Sequence, residues 1–219
     1  LRFRKPPRLN WNKTTKEFDT EIKPTAMELG TMTHHIMWHI NRIKVAVANG
    51  RHLFHNTPMT DIKYMEIGMR VIRRSPILKT QEERVFHQSK FIQFYAWNKT
   101  QERFYKPVGT EVGFSKVLYE DQNFIFVYEG TIDHVVRVEP AGFLTWADFK
   151  TQSKEYTLYQ NRNQFLGYSF AMGTNIGLIC YYGLQKEKTD VFRYESIYHS
   201  KELLEQWRQD TIQTYREII

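Results

Sequence analysis

Among the eight histidines, His35, His39, His52 and His55 fall within one short stretch. On a helix His35 and His39 stand one turn apart, so both imidazoles could face one metal ion, and His52 with His55 could close the site. No glutamate stands between the first pair in an HExxH arrangement and no cysteine is near, while Leu53 and Phe54 have the character of packing residues. The four therefore read as helix-surface or interface histidines, and neither a metal nor a cofactor is expected.

The other candidate nucleophiles and bases give no catalytic set. Asp133 and His134 are neighbours on an expected strand, where successive side chains point to opposite faces, which excludes a direct dyad. Cys180 lies in an apolar run between Ile176 and Tyr182 and reads as a buried strand thiol with nothing beside it to lower its pKa. No glycine pattern matches a dinucleotide fingerprint or a phosphate-binding loop. Aromatics interleaved with cations, over Phe91–Lys99 and Arg103–Lys106, could stack bases on an open sheet, but they read more simply as strand packing with the rings inside. On these grounds the chain is expected not to be an enzyme.

The elements that would carry these residues follow from periodicity. Residues 1–25 hold Pro6-Pro7 and Pro24 without apolar periodicity and read as an extended basic arm; 26–58 read as a helical segment and linker, and 59–219 as a β-rich domain closed by a helix. Met32, Ile36, Ile40, Ile43 and Val47 line one helix face that ends at Asn49-Gly50. Over 62–72 helical and alternating patterns compete, and Gly68 tips the reading to strand. Beyond Ser75-Pro76, strands are expected near 90–97, 103–108, 113–119, 124–129, 134–138, 143–149, 155–160, 165–172, 176–182 and 190–197, at the spacing of a meander. The last helix has Ser200 as N-cap and a stripe of Leu204, Trp207, Thr211, Tyr215 and Ile218. The predicted fold class is α+β: a mainly antiparallel sheet, as a meander barrel or sandwich, with an N-terminal helix, a C-terminal helix and the basic arm.

Charge supplies the functional expectation. Six cations, Arg2, Arg4, Lys5, Arg8, Lys13 and Lys16, precede the first acid, Glu17; of 31 Lys and Arg against 24 Asp and Glu, the rest of the chain therefore keeps 25 against 24. A block of this kind reaches for something outside its own domain, and with Trp11 these cations are the expected partner-binding residues. The lone cysteine excludes an internal disulfide and favours a reducing or matrix-like compartment, and no apolar window is long enough to span a membrane. A start on a basic segment without Met is what a processed mitochondrial protein would show. The leading expectation is a non-catalytic accessory subunit of a respiratory-chain or ATP synthase complex, peripheral to the mitochondrial inner membrane or in the matrix, held by other subunits and by anionic lipid or rRNA at the arm. A mitochondrial ribosomal protein is the second reading. A ligand-binding barrel or enzyme lined by Tyr119, Tyr128, Trp146 and Tyr168 is the third.

Overall fold

The computed structural model describes residues 10–12, 17–19, 26–50, 59–152, 163–183 and 192–218. Two short strands, β1 (Asn10–Asn12) and β2 (Glu17–Asp19), pair with each other. Then come α1 (Ala26–Ala48), α2 (Asp61–Arg74), α3 (Gln81–Gln101), β3 (Tyr105–Glu120), β4 (Ile125–Val138), β5 (Phe143–Gln152), α4 (Asn163–Met172), β6 (Ile176–Gly183), β7 (Phe192–Tyr198) and α5 (Lys201–Ile218).

Strands β3 to β7 form one open sheet in sequence order, antiparallel throughout except where β5 and β6 run parallel. The expected meander barrel or sandwich is therefore wrong: among the described residues the fold is a five-strand mixed sheet, not closed, with five helices. A parallel pair needs a crossover connection, and α4 lies in it. The segment 165–172, expected as a strand, is this helix. Phe165, Leu166, Tyr168 and Ser169 are all buried, so α4 is apolar nearly all round and lacks the polar stripe that reveals a surface helix.

Two other expected strands are helices. Over 90–97 the aromatic run belongs to α3, started by a capping box between Thr80 and Glu83, and Phe91, Phe94, Tyr95 and Asn98 recur at helical spacing on its buried face. Aromatic β-propensity gives way here to that burial pattern. The segment 62–72 is α2, capped by Thr60. Its Gly68 is a packing requirement: a Cβ there would lie 2.1 Å from Phe91 Cζ. Gly68→Ala is thus expected to destabilise the protein by about 1–3 kcal/mol through overpacking, despite alanine's better helix propensity, which a denaturation midpoint will read. The expected strand at 155–160 lies outside the described residues. The pairs 103–108 with 113–119, and 124–129 with 134–138, are merged into the long strands β3 and β4.

The sheet is covered on both faces. On one, Met37 of α1 and Phe94 of α3 pack on Cys180, Tyr182 and Phe149, while Met32, Ile36, Ile40 and Ile43 share a cluster with Tyr64 and Ile72 of α2, Leu78 of the following turn and Phe91 of α3. On the other, α4 lays Phe165 and Tyr168 on Trp146, Ile179 and Tyr181, and α5 adds Trp207 and Ile212 beside Leu118 and Leu166. The closing stripe reaches only that far: Tyr215 and Ile218 are exposed. An ion-pair cluster of Lys44, Glu102, Lys99 and Asp61 ties α1, α2 and the end of α3 together, with Tyr95 donating to Asp61. Among the described residues no helix is long and apolar enough to cross a membrane.

Candidate active site

The β4–β5 ladder pairs His134 with Ala147 and Val135 with Trp146. One step beyond, that register sets Asp133 opposite Asp148. Strand alternation then sorts the neighbours: Trp146, Asp148 and Lys150 share the face under α4, whereas Ala147, Phe149 and His134 point toward α1 and α3. Two carboxylates and an amine thus converge on one patch, Asp133 from β4 and Asp148 with Lys150 from β5.

Asp148 is fully buried, and Lys150 is the one donor that reaches it among the described residues, with Nζ 2.9 Å from Oδ2 and 2.8 Å from Oδ1. Burial pushes its carboxyl up to about 6, with the Asp133 charge adding to the rise and Lys150 opposing it. Asp133 is raised for the same first reason, and the Glu111 carboxylate adds to it while His34 and Lys150 pull the other way. His34, from α1, places Nδ1 3.5 Å from Asp133 Oδ2. Below the acids, Tyr168 of α4 accepts a hydrogen bond from Gln164 Nε2 at 2.9 Å, and burial followed by the Asp133 charge raises its hydroxyl far above neutral pH, so it stays a donor. Lys150 also lies 5.2 Å over the Phe165 ring.

His134 is buried on the opposite face. Its Nδ1 is 3.4 Å from Asn41 Nδ2, its Nε2 has no hydrogen-bond partner among the described residues, and burial drops its pKa to about 3, so the ring is neutral and packs edge-on against Phe149. The sequence reading that Asp133 and His134 point apart agrees with this geometry. The histidine that meets Asp133 is His34, fixed by α1 and 99 positions away.

Donor chemistry tests what the patch can hold. Among the described residues no group of three or more His, Cys, Asp or Glu side chains surrounds one point. Two carboxylates are nevertheless enough for a hard divalent cation that completes its shell with water and substrate phosphate. The burial of Asp148 with a single amine for company leaves lone pairs that such a cation would satisfy. Asp133 and Asp148 fit the role.

The residues singled out from the sequence lie elsewhere. Arg2, Arg4, Lys5, Arg8, Lys13 and Lys16 lie outside the described residues, as do His52 and His55; Trp11 is in β1, paired with Phe18. His35 and His39 touch each other, Nε2 to Nε2 at 3.1 Å, on the wall of a groove of about 840 Å³ between α1 and α2 that also carries Lys63, Arg70 and Arg74. Neither acid lines that groove. Trp146 is buried in the α4 face and Tyr128 packs on Trp207, so no barrel surrounds a ligand. Asp148, Lys150, His34 and Gln164 were not legible as a site. The available signal was an acid and an amine two apart on the inward face of an otherwise apolar strand, beside Trp146.

No curated protein matches the chain. A solved structure described as "Crystal structure of SSO0001" resembles it at a TM-score of 0.37 and 14% sequence identity, over 82% of this chain and 86% of that one. The PD-(D/E)XK nuclease superfamily matches residues 3–219. A match of that extent overturns the expectation of a non-catalytic accessory subunit of a respiratory-chain or ATP synthase complex, and with it the ribosomal alternative and the reading that the chain is not an enzyme. Asp148-Phe149-Lys150 supplies the acid–x–lysine triplet of the superfamily's name, and Asp133 its preceding aspartate, with Ile132 where that name has proline; the chain belongs to the PD-(D/E)XK nuclease superfamily.

Proposed function

We propose that this chain hydrolyses phosphodiester bonds in nucleic acid, at the patch formed by Asp133, Asp148 and Lys150. The observation that carries the reading is the buried Asp148 beside the half-buried Asp133, one step beyond the His134–Ala147 pair of β4 and β5, with Lys150 within hydrogen-bond distance of Asp148. Asp133 and Asp148 would hold a divalent cation. When bound, such an ion supplies Lewis acidity at a phosphoryl oxygen and offsets charge that builds up in the transition state.

The chain's own residues do the rest. His34 orients the Asp133 carboxylate from α1. Lys150, held against Asp148 and over Phe165, sets a fixed positive charge where the phosphoryl oxygens become more negative, which is where preorganised charge is worth most. Tyr168, positioned by Gln164, offers a hydroxyl donor to the same oxygens. The six cations of residues 1–16 add sequence-independent attraction for the phosphate backbone, strongest at low salt.

End-labelled single- and double-stranded oligonucleotides of DNA and RNA, incubated with magnesium or manganese, should be shortened by the purified chain. Chelation with EDTA should stop the reaction and added metal restore it. Cleavage that persists in EDTA, or no cleavage of any of the four substrates with either metal, overturns the reading.

A further inference from the structure

Between α1 and β3 is an open groove of about 450 Å³ lined by Trp38, Arg42 and Val45 of α1 and by Gly109, Thr110, Glu111 and Val112 of β3. Resting on the hydrolytic reading above, we propose that this groove seats one unpaired nucleobase of the substrate strand, stacked on Trp38 beside Arg42, adjacent to the cleaved bond.

Three observations carry it. Trp38 is only partly buried and belongs to none of the apolar clusters that build the core. Its ring is nonetheless held in place: His35 stacks parallel to it at 5.8 Å and 16°, His39 meets it edge-on at 4.6 Å, and Arg42 lies 5.1 Å over the centroid. Arg42 is exposed and makes no ion pair among the described residues. A fixed indole under a guanidinium that makes no ion pair suits single-stranded nucleic acid: the guanidinium can leave the ring for the neighbouring phosphate as a base takes its place on the indole.

The second observation is continuity with the acids. Trp38 follows His34 by four residues, one helical turn of about 5.4 Å on the same side of α1, and His34 touches Asp133. The opposite wall arrives at the same place. Thr110 pairs with His134 and Val112 with Ile132, so Glu111 stands across from Asp133, the residue this ladder skips.

The third is the shape of that wall. Glu111 has φ +48, a left-handed conformation that a non-glycine residue adopts only under constraint. Thr110 and Val112 keep their β4 partners on either side of it, and Gly109 to Val112 form the wall that faces Trp38. The Glu111 carboxylate makes this wall hostile to phosphate and suited to the amino edge of a base. A base within a duplex is stacked on both faces and cannot enter, so the groove selects an unpaired strand at this position.

The test is an abasic scan. A single-stranded oligonucleotide carries one abasic nucleotide, moved position by position, and binding is read by fluorescence anisotropy in EDTA with the Asp148→Asn protein, while cleavage is read with the wild type. One position should lose roughly tenfold in affinity, the scale of one base–aromatic stack. In Trp38→Ala that dip should vanish, with intact and abasic strands bound alike, and Trp38→Phe should retain part of it. Arg42→Gln should lower affinity for intact and abasic strands equally and keep the dip, a second reading if Trp38→Ala does not fold. A flat scan in the Trp38 protein, or a dip unchanged in Trp38→Ala, overturns the subsite. If the wild type cleaves nothing yet the Trp38-dependent dip is present, the hydrolytic reading falls and the base subsite stands; cleavage with a flat scan gives the reverse.

Discussion

Asp148→Asn is expected to abolish cleavage, by about a thousandfold or more, and at the same time to make the metal-free protein more stable at neutral pH. The activity loss follows from removing one of two acids that would hold the metal and from uncoupling Lys150, each a contribution of several kcal/mol in comparable sites. The stability gain follows from burial. In the folded protein the Asp148 carboxyl titrates at about 6, against an ordinary value of 3.8. Between those values the folded state holds a proton that the unfolded chain has released. The penalty for ionising it is therefore absent below about pH 4, grows as pH rises, and is complete above about pH 6, where it is on the order of 3 kcal/mol at most. Asparagine carries no such penalty. In EDTA, urea midpoints for wild type and Asp148→Asn should coincide near pH 4 and separate by pH 7.5, with the variant higher. A lower midpoint for the variant at pH 7.5 would mean that the pair with Lys150 stabilises more than burial costs; cleavage at the wild-type rate would remove Asp148 from the site.

Trp146→Ala should be the most damaging substitution to the fold near that site. Trp146 is fully buried, stacked on Phe165 at 5.0 Å and 9°, edge-on to Tyr168, and donates its indole N–H to Ser169 Oγ at 2.9 Å. Ser169 Oγ in turn lies 2.9 Å from His199 Nδ1. The indole also lies against bare backbone: a Cβ at Gly177 would come within 1.8 Å of Trp146 Cζ2, so β6 can approach β5 only because residue 177 is glycine. Truncation opens a cavity beneath α4 and leaves the Ser169–His199 pair short of a donor, at a cost of about 3–5 kcal/mol. For a chain of this size that lowers the melting temperature by roughly 10 °C. Trp146 is two residues from Asp148 on the same strand face, so residual activity should fall further than stability alone accounts for, because Tyr168 loses its support. Trp146→Phe keeps the stack and should recover most of the melting temperature. A shift of only one or two degrees for Trp146→Ala would show that α4 is held by other contacts.

Much of the chain's local order is legible in its residues, but the way the elements assemble is not. The spacing of Met32, Ile36, Ile40 and Ile43 defines α1, and the alternating runs mark the centres of β3, β4, β5, β6 and β7. What misleads is burial on both sides. The apolar residues of α4 lack a polar face, so periodicity has nothing to contrast there, while in α3 the β-propensity of the aromatics masks a helical burial pattern; once α4 is read as a strand the parallel β5–β6 pair cannot be seen. The site is hidden for a different reason. Asp133 and Asp148 are 15 positions apart and meet only through the β4–β5 register, and His34 reaches Asp133 only through packing of α1 on the sheet. A search for neighbours along the chain finds His134 instead, which is committed to the opposite face.

Cys180 gives this molecule a built-in clock. It is the chain's single cysteine, fully buried at the centre of β6, between strands on both sides and under Met37 and Phe94. Burial raises its thiol pKa well above neutral, so little thiolate exists even if a reagent arrives. Covalent labelling must then wait for the sheet to part from α1 and α3, and its rate counts those openings directly, in the same sheet that carries Asp148 and Lys150 one strand away. Alkylation kinetics thus report how often the scaffold of the acids comes apart, without any added probe and without touching the site.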